Sequence, residues 1–354
     1  MPVISLEQLR ETANLGFGKV FSPHMFIAYY DPERGWHDQR IQEYQPISMD
    51  PAAPIFHYAQ SIFEGLKAYR RPDGEVQIFR AKENVARLNR SAQRMAMPLF
   101  DEEENLRALD ALVNLDRDWV PSAPGCSLYL RPTMIADGCG LGASSAKRFI
   151  YFIICSPSGA YYSKGIAPVS IQIEEKYVRA VKGGTGQAKA AGNYAGSFKA
   201  TADAVKRGFD QVLWLDGKEN RYIEEVGAMN IFFVIEDRLV TPELCGSILP
   251  GVTRDSVITL ARDFGIEVEE RRIDVRELYE AHRHGALREV FGTGTAAVIS
   301  PVSVLEYKGE RIEINGAKIG KLSQRMYDHL SGIQRATIED KYNWCSVVSR
   351  DAKY

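Results

Sequence analysis

Residues 185–196, TGQAKAAGNYAG, place one lysine among small residues. Lys189 follows Ala188 and precedes Ala190, Ala191 and Gly192. Lysine usually lies where its amine reaches water. Here the small neighbours leave room beside the amine for a planar group, and a partly buried site favours the neutral, nucleophilic form of an amine. The stretch therefore fits either a surface lysine between two domains or a lysine that forms an imine.

The composition of the whole chain limits the class of protein. With 354 residues, 45% hydrophobic and 25% charged, it matches a globular protein and favours two domains. The net charge of −2 gives no reason to expect nucleic acid as a partner. No signal peptide and no run of about 18 apolar residues is visible, so we expect a cytoplasmic protein without a membrane span. The five cysteines show no disulfide or zinc spacing.

Strands and helices are mixed without strict βαβ order, which predicts a mixed α/β (α+β) fold. Hairpins are expected over 25–36 and 68–79, helices over 82–96, 101–119, 252–265 and 320–335, and strands over 127–136, 149–155 and 169–174. Glycine-rich residues 179–186 predict an interdomain loop between domains 1–178 and 187–354. A helix capped by Asn193 is expected to run to Gly208, with Tyr194, Phe198 and Val205 on its core face.

Two glycine-rich motifs suggest nucleotide binding, but both lack the required context. KGGTGQAK at 182–189 has no glycine before its lysine and no serine or threonine after it. GTGTAA at 292–297 matches a dinucleotide fingerprint, but the following VISPV is extended rather than helical. Gly292, Gly294 and Thr295 remain candidates for binding an anion. The histidines show no metal-ligand spacing, so no metal is expected.

A lysine that forms an imine suggests pyridoxal 5'-phosphate as the cofactor. That cofactor also needs a carboxylate against its pyridine nitrogen and hydrogen-bond donors around its phosphate. From the residues alone, this hypothesis competes with that of a surface lysine between domains.

Further motifs occur in order along the chain. They are HYAQSIFEGLKAYR at 57–70, LYLRPTMIADGCGLG at 128–142, YIEEVGAMNIFFV at 222–234 and LCGSILPGVTRDSV at 244–257. With the lysine stretch they resemble the branched-chain amino acid aminotransferases, fold-type IV pyridoxal phosphate enzymes, from about residue 16 to residue 301. The resemblance implies an N-terminal α/β domain, a C-terminal pseudo-barrel domain and a homodimer.

The resemblance also implies how the cofactor is bound. Lys189 would form the imine and shuttle the proton between Cα and C4′, and Tyr194 would hydrogen-bond the phenolic oxygen. Glu225 would lie against the pyridine nitrogen and keep it protonated. The alternative for Glu225 is a solvated acid at a strand end, which is what we expect of Glu224. The phosphate would be held by Arg87, Val252, Thr253 and Thr295.

The phosphate residues have independent interpretations. Helical periodicity places Arg87 on a polar face with Asn84, Ser91 and Arg94, which alone predicts a solvated arginine. Val252 and Thr253 follow Pro250-Gly251 at an expected helix start. Free N–H groups and the helix dipole favour an anion there, so this part of the site is supported by physics as well as by resemblance.

The implied substrate pocket combines apolar walls with one arginine. Its residues would be Phe17, Tyr58, Phe63, Tyr129, Arg131 and Ala143, with backbone groups of Thr295 and Ala296 near the substrate α-carboxylate. Tyr129 and Arg131 alternate with leucines, so both point to one face of a strand, and the alternative is that this face is exposed. The resemblance implies that they receive the distal carboxylate of glutamate, which a close cation must compensate.

The implied reaction is a reversible, ping-pong amino transfer between leucine, isoleucine or valine and 2-oxoglutarate, which becomes L-glutamate. A D-amino acid aminotransferase or aminodeoxychorismate lyase of the same fold is the nearest alternative. A non-catalytic phosphate-ligand binding protein and a nicotinamide oxidoreductase are alternatives of other classes. The sequence departs from the family in two respects. Ala228 replaces a usual threonine, and Ala297 and Ser300 stand where some members have a CxxC pair.

Overall fold

The structure, a computed structural model, describes residues 3–11, 15–159 and 166–354. Its strands are β1 His24–Asp31, β2 Gly35–Glu43, β3 Ser61–Phe63, β4 Leu66–Arg70, β5 Val76–Phe79, β6 Ser127–Asp137, β7 Arg148–Ser158, β8 Val169–Ile173, β9 Gln211–Leu215, β10 Ile223–Val226, β11 Met229–Ile235, β12 Arg238–Thr241, β13 Val268–Glu270, β14 Leu287–Gly294, β15 Val298–Tyr307, β16 Glu310–Glu313 and β17 Cys345–Val347. Its helices are α1 Leu6–Glu11, α2 Pro54–Tyr58, α3 Ala81–Arg94, α4 Glu102–Leu115, α5 Ala191–Ala195, α6 Phe198–Lys206, α7 Val252–Asp263, α8 Val275–Arg283 and α9 Lys321–Gln334.

Local sequence signals explain the elements that were predicted. The hairpins β1–β2 and β4–β5 form at the expected turns, and Gly74 supplies the positive φ that the second turn requires. Asp101 caps α4 by accepting a hydrogen bond from the Glu104 N–H at 2.9 Å. In the described part of the chain, no helix is long and apolar enough to cross a membrane.

The chain forms two compact units, each with its own sheet. In the first unit an eight-stranded sheet runs in the order β17-β5-β4-β6-β7-β1-β2, with β3 paired to β6. The core of this unit is built on buried side chains of that sheet and of α3 and α4, including Phe26, Phe100 and Tyr151. The sheet positions two adjacent functional segments, β3 and the β6 strand that carries Tyr129 and Arg131.

The second unit contains a nine-stranded sheet that closes on itself. Neighbouring strands follow the order β10-β9-β8-β15-β14-β11, and β10 also pairs with β11. This closed ring surrounds a core that includes Ile171, Leu213, Ile231 and Phe233. The predicted mixed α/β fold with a pseudo-barrel is therefore confirmed.

The bounds of the units differ from the predicted division at 178 and 187. The first unit comprises 1–165, 188–192 and 332–354, and the second comprises 166–187 and 193–331. β8 pairs in parallel with β9 and β15, so it belongs to the second sheet. At the other end of the chain, β17 pairs with β5 of the first sheet. Strand pairing between segments far apart in the sequence thus explains why β8 and β17 belong to units other than the predicted ones.

One predicted helix is wrong in its start and its buried face. Asn193 lies inside α5, and its side chain bonds to Thr185 rather than capping a helix. α6 begins only at Phe198, which is 67% exposed, and Val205 on the same helix is also exposed. The helix buries the small residues Ala200 and Ala204 instead.

Candidate active site

Lys189 is fixed through its backbone in the first unit. Its N–H donates to the Ser91 hydroxyl at 3.0 Å, and its carbonyl accepts from the Phe63 N–H at 3.1 Å. Ala190 forms a β-bridge with Ile62, and both Ala188 and Ala190 are buried. The small neighbours therefore let the lysine backbone pack directly against β3 and α3.

Four of the predicted substrate residues form a chain of contacts that begins at Lys189. Lys189 Nζ lies 4.9 Å from the centroid of the Phe63 ring, and the Arg131 guanidinium lies 4.7 Å from the same ring. An Arg131 Nη atom donates to the Tyr129 hydroxyl at 3.1 Å. Phe17 packs edge-on against Tyr129, with ring centroids 4.8 Å apart. We call these five residues the lysine cluster.

The lysine cluster contradicts the alternative of an exposed strand face. Tyr129 is 7% exposed. Arg131 Nε is buried and has no hydrogen-bond partner among the described residues. Since a buried guanidinium N–H is costly without an acceptor, this atom is suited to an anionic group supplied from outside the chain.

Lys67 is a second cation close to Tyr129, because the two residues are paired opposite each other on β4 and β6. Burial, with a smaller contribution from the charge of Arg335, lowers the pKa of Lys67 to about 7. This side of the first unit therefore carries a lysine that changes charge near neutral pH.

Arg87 is buried rather than solvated. Its Nε and Nη2 atoms donate to the two carboxylate oxygens of Glu64 at 2.7 and 2.8 Å. Asn84 and Ser91 on the same face of α3 are buried too, whereas Arg94 is exposed as expected. The polar face that periodicity assigned to solvent is thus mostly interior, because Glu64 supplies the counter-charge.

Glu225 forms the centre of a polar network in the second unit. An Arg179 Nε atom lies 2.6 Å from one carboxylate oxygen. The other oxygen accepts from the Leu249 N–H at 3.0 Å and from the Asn230 amide at 3.2 Å. Glu225 is 3% exposed, so the alternative of a solvated acid is wrong. The ion pair and the two hydrogen bonds together fix the carboxylate in one orientation.

The same network holds the start of α7. The Asn230 amide also donates to the Leu249 carbonyl at 2.9 Å. Gly251 is the N-cap residue of α7, and no side chain caps the helix. A Cβ atom on Gly251 would lie 1.9 Å from Asn230 Oδ1. The N–H groups of Val252 and Thr253, both buried, therefore belong to a helix start suited to an anion.

Residues 295–297 form the turn between β14 and β15. Strand β15 begins at Val298, so the helix that a dinucleotide fingerprint requires is absent from this described segment. Thr293 lies opposite Asn230 in the sheet, and its buried hydroxyl has no partner among the described residues. The turn residues Thr295 and Ala296 follow two and three positions later, on the same connection.

The exposure predicted for Glu224 is also wrong. Glu224 was expected to be solvated, but it is 7% exposed and its carboxylate accepts a hydrogen bond from Ser247. Burial is the main cause that raises the pKa of Glu224. The reason is the pairing of β10 on both sides, with β9 and β11, which buries every residue of this short strand.

Three predicted site residues make contacts other than those of the lysine cluster and the Glu225 network. Tyr58 is 43% exposed and donates to the Leu141 carbonyl at 2.6 Å, and Ala143 is exposed in the same loop. Neither makes a hydrogen bond or ring contact with the lysine cluster in the described residues. Tyr194 lies in α5, and its carbonyl accepts from Ser197.

Four residues of these networks were not predicted as functional: Glu64, Arg179, Asn230 and Leu249. Glu64 had a usable signal, since it is a lone carboxylate between apolar residues in IFEGL. Asn230 is likewise the one polar residue of the apolar strand β11. Arg179 and Leu249 lie in segments without periodicity, so the sequence gives no signal for their contacts with Glu225.

Comparison with known proteins agrees with this geometry. The family model of class IV amino-transferases matches residues 61–305. This chain belongs to that family. A "Probable branched-chain-amino-acid aminotransferase" of Staphylococcus aureus (strain N315) is 53% identical over 98% of this chain and 97% of its own length. "Branched-chain-amino-acid aminotransferase 2" of Bacillus subtilis (strain 168) is 51% identical over 95% and 92%.

Solved structures support the fold assignment. The branched-chain aminotransferase of the archaeon Thermoproteus uzoniensis is 26% identical, with a TM-score of 0.76 over 92% of this chain and 100% of that one. Another branched-chain amino acid aminotransferase, solved with pyridoxamine 5'-phosphate, is 27% identical, with a TM-score of 0.76 over 92% and 98%. The predicted resemblance and the enzyme class, a fold-type IV transaminase that uses pyridoxal 5'-phosphate, are confirmed. The buried carboxylate of Glu225, the uncapped start of α7 and the packed lysine all fit such a cofactor.

Proposed function

We propose that this protein is a branched-chain amino acid aminotransferase. It transfers the amino group of leucine, isoleucine or valine to 2-oxoglutarate, which yields L-glutamate and a 2-oxo acid. The observation that carries the proposal is the lysine cluster, in which one amine, one guanidinium and three aromatic rings pack together. When bound, pyridoxal phosphate supplies an aldehyde that takes the amino group and a ring that withdraws electrons from Cα.

Lys189 acts as the base of the reaction. Its backbone is held on both sides, by Ser91 and by Phe63. A positioned amine can remove a proton at the substrate Cα and deliver it to C4′ of the cofactor, and such positioned acid–base groups contribute about 10²–10⁴-fold to rates. The aromatic ring of Phe63 beside the amine limits the access of water.

Separate groups bind the ends of the cofactor. Glu225 keeps the pyridine nitrogen protonated, and Arg179 with Asn230 fixes the orientation of that carboxylate. Arg87 and the N–H groups of Val252 and Thr253 bind the phosphate, with the hydroxyl of Thr295. Tyr194 donates to the phenolic oxygen. These roles require no net change in the charge of the residues during turnover.

One pocket serves two kinds of side chain. Phe17, Phe63 and Tyr129 give apolar walls for leucine, isoleucine or valine. Arg131 binds the distal carboxylate of glutamate or 2-oxoglutarate, since its Nε has no acceptor among the described residues. The backbone of Thr295 and Ala296 binds the α-carboxylate that all these substrates share.

We further propose a homodimer in the cytoplasm. Phe56 and Leu141 are 61% and 67% exposed, and Tyr58 bonds to the loop that contains Leu141 and Ala143. Exposed large apolar residues are typical of interaction surfaces. Sedimentation equilibrium should give twice the chain mass, and Leu141→Asp should shift the protein toward monomer. A wild-type monomer would contradict this proposal.

The test of the reaction uses purified protein loaded with pyridoxal phosphate. L-Leucine and 2-oxoglutarate should yield glutamate and the 2-oxo acid, whereas D-alanine should yield none. Lys189→Ala should lower turnover by at least about 10²-fold and abolish trapping of the cofactor on the chain by borohydride. Lys199→Ala, an exposed lysine paired with Asp203, is the control and should keep both properties. Turnover of D-alanine would favour the D-specific alternative.

A further inference from the structure

A cavity of about 460 Å³ lies in the second unit, apart from the groups assigned above. Its walls come from the turn that follows β9, from the start of β10 and from the segment between β12 and α7. Cys245, Ser247 and Glu224 line it together. Cys245 is partly exposed as a residue and lines this cavity, through which reagents in solution can approach it.

The three lining residues form a connected cluster. Cys245 Sγ lies 3.0 Å from the Ser247 hydroxyl oxygen and 3.8 Å from a carboxylate oxygen of Glu224. The Ser247 hydroxyl donates to that same oxygen. Because burial raises the pKa of Glu224, its carboxylate is a better proton acceptor near neutral pH than a solvated glutamate. A nucleophile thus lies beside a base that a third group orients.

Two lysines of the cavity can bind carboxylate groups of an incoming molecule. Asp216 accepts four backbone N–H groups of its own turn, and Glu219 is paired with Arg272. Lys182 and Lys218 line the same cavity, and no hydrogen bond or ion pair of their amines is found among the described residues. Glu224 and Glu243 are the remaining acids of the lining, so the two amines are balanced by two carboxylates, and it is the amines that can bind the acidic groups of another molecule.

We propose that Cys245 is a site of reversible S-thiolation by small disulfides that carry carboxylate groups. The thiol gives its proton to Glu224, directly or through the Ser247 hydroxyl. The sulfur attacks one sulfur of the incoming disulfide, whose S–S bond breaks. A mixed disulfide forms on Cys245, and the released thiolate takes up the proton. The disulfide itself is the oxidant, so no other reactant is needed.

The other cysteines provide internal comparisons. Cys139 is exposed, whereas burial raises the pKa of Cys345 to about 12 and raises that of Cys155 far above its ordinary value. If exposure alone governed reactivity, Cys139 would react first. The cluster around Cys245 reverses that order.

An adduct on Cys245 would disturb the Glu225 network. Arg179 binds both the Ser247 carbonyl, at 3.0 Å, and Glu225. Leu249, four residues after Cys245, donates its N–H to Glu225. We therefore expect the adduct to lower transaminase activity and a reducing thiol to restore it. This consequence rests on the proposed function, but the assignment of the reactive site does not.

The experiment measures site-resolved rates on the holoenzyme. The protein is treated with 5,5'-dithiobis(2-nitrobenzoate), a dianionic disulfide, and with uncharged 2,2'-dithiodipyridine, and each cysteine is followed by mass spectrometry. Cys245 should react faster than Cys139 with the dianionic reagent. Glu224→Gln should slow Cys245 by at least about tenfold, and Ser247→Ala should also slow it. The Cys139 rate and circular dichroism show whether each variant is folded.

The two lysines of the cavity provide a second part of the experiment. Replacing Lys182 and Lys218 by alanine should lower the rate with the dianionic reagent by about fivefold per lysine, with little effect on the uncharged one. Two results would overturn the proposal. One is a Cys139 rate above that of Cys245 with both reagents. The other is a faster Cys245 in a folded Glu224→Gln protein, which would mean that the carboxylate only disfavours the thiolate.

Discussion

At the scale of single residues, the buried Arg87–Glu64 ion pair of the first unit should be costly to break. Both side chains are almost fully buried, with exposed fractions of 4% and 1%, and they meet through two hydrogen bonds. Removing one partner of such a pair leaves an uncompensated charge, which typically costs about 3–5 kcal/mol. Glu64→Gln should therefore lower the free energy of unfolding in urea by that order.

An exposed ion pair gives the matched control for this variant. Arg283 and Glu310 lie 3.3 Å apart, and their side chains are 55% and 54% exposed. Exposed pairs contribute about 0–1 kcal/mol, so Glu310→Gln should change the free energy of unfolding by no more than about 1 kcal/mol. If the proposed phosphate role of Arg87 is correct, pyridoxal phosphate should recover part of the loss in Glu64→Gln. Equal losses in the two variants would contradict the interpretation.

In the proposed function, Arg131 determines which substrates a single pocket accepts. A hydrogen bond between charged groups contributes about 1.5–3 kcal/mol, so Arg131→Gln should lower kcat/KM for 2-oxoglutarate by about 10- to 100-fold. The value for L-leucine should change by less than about threefold, because its side chain carries no charge. Each half-reaction is measured separately. Tyr129→Phe, which removes only one hydrogen-bond partner of Arg131, should give a smaller effect. Equal losses for both substrates would contradict this role.

At the scale of elements, the start of α7 is tied to the Glu225 network through the side chain of Asn230 and the backbone of Leu249. Asn230 bonds to Glu225 and to the Leu249 carbonyl, and it leaves no space for a side chain at Gly251. Gly251→Ala should displace Asn230 and raise the dissociation constant of pyridoxal phosphate by about tenfold, the loss expected for one hydrogen bond to a charged group. The constant is measured by titrating apoprotein with cofactor.

A second glycine shows whether the effect is specific. An added Cβ on Gly140 meets no described atom within 4 Å, so Gly140→Ala should leave cofactor binding unchanged. An unchanged dissociation constant in Gly251→Ala would mean that Asn230 is not needed to hold the helix start.

Local patterns predicted the elements well but not the partners of polar residues. The caps, turns and periodicity located the β1–β2 and β4–β5 hairpins, α3, α4 and α7 because these signals act over a few residues. Motif resemblance selected Lys189 and Glu225 as candidate site residues, and the small residues around Lys189 can be read directly from the sequence. Periodicity failed at Arg87 because its partner, Glu64, lies 23 positions away. Nothing local to α3 could indicate that counter-charge.

The same limit explains the misplaced helix and the difference between the predicted domains and the two compact units. Phe198 and Val205 have the spacing of a core face, yet α6 packs through Ala200 and Ala204. The spacing of large apolar residues identifies the buried face of a helix only where the neighbouring elements leave room for large side chains. β8 and β17 were assigned to a unit by their position in the chain, whereas their hydrogen-bond partners in the sheets decide it.

At the scale of the whole molecule, one buried lysine links stability to pH. The ordinary pKa of lysine, 10.5, falls to about 7 for Lys67 in the folded chain. Between these values the unfolded chain binds a proton that the folded chain does not, so the contribution of Lys67 to stability rises with pH. Below pH 7 both states are protonated, and the cost of burying the charge is fully present.

Lys67→Met should remove this cost and therefore stabilise the protein most at low pH. The gain in the free energy of unfolding should be about 2–3 kcal/mol larger at pH 6 than at pH 9, since each pKa unit corresponds to about 1.4 kcal/mol. Urea unfolding of the wild type and of Lys67→Met across that pH range measures the difference. The contributions of other titrating groups cancel because both proteins contain them. Lys82→Met, at an exposed position, should give a curve parallel to the wild type. A parallel curve for Lys67→Met would show that Lys67 keeps the same charge in both states throughout the range.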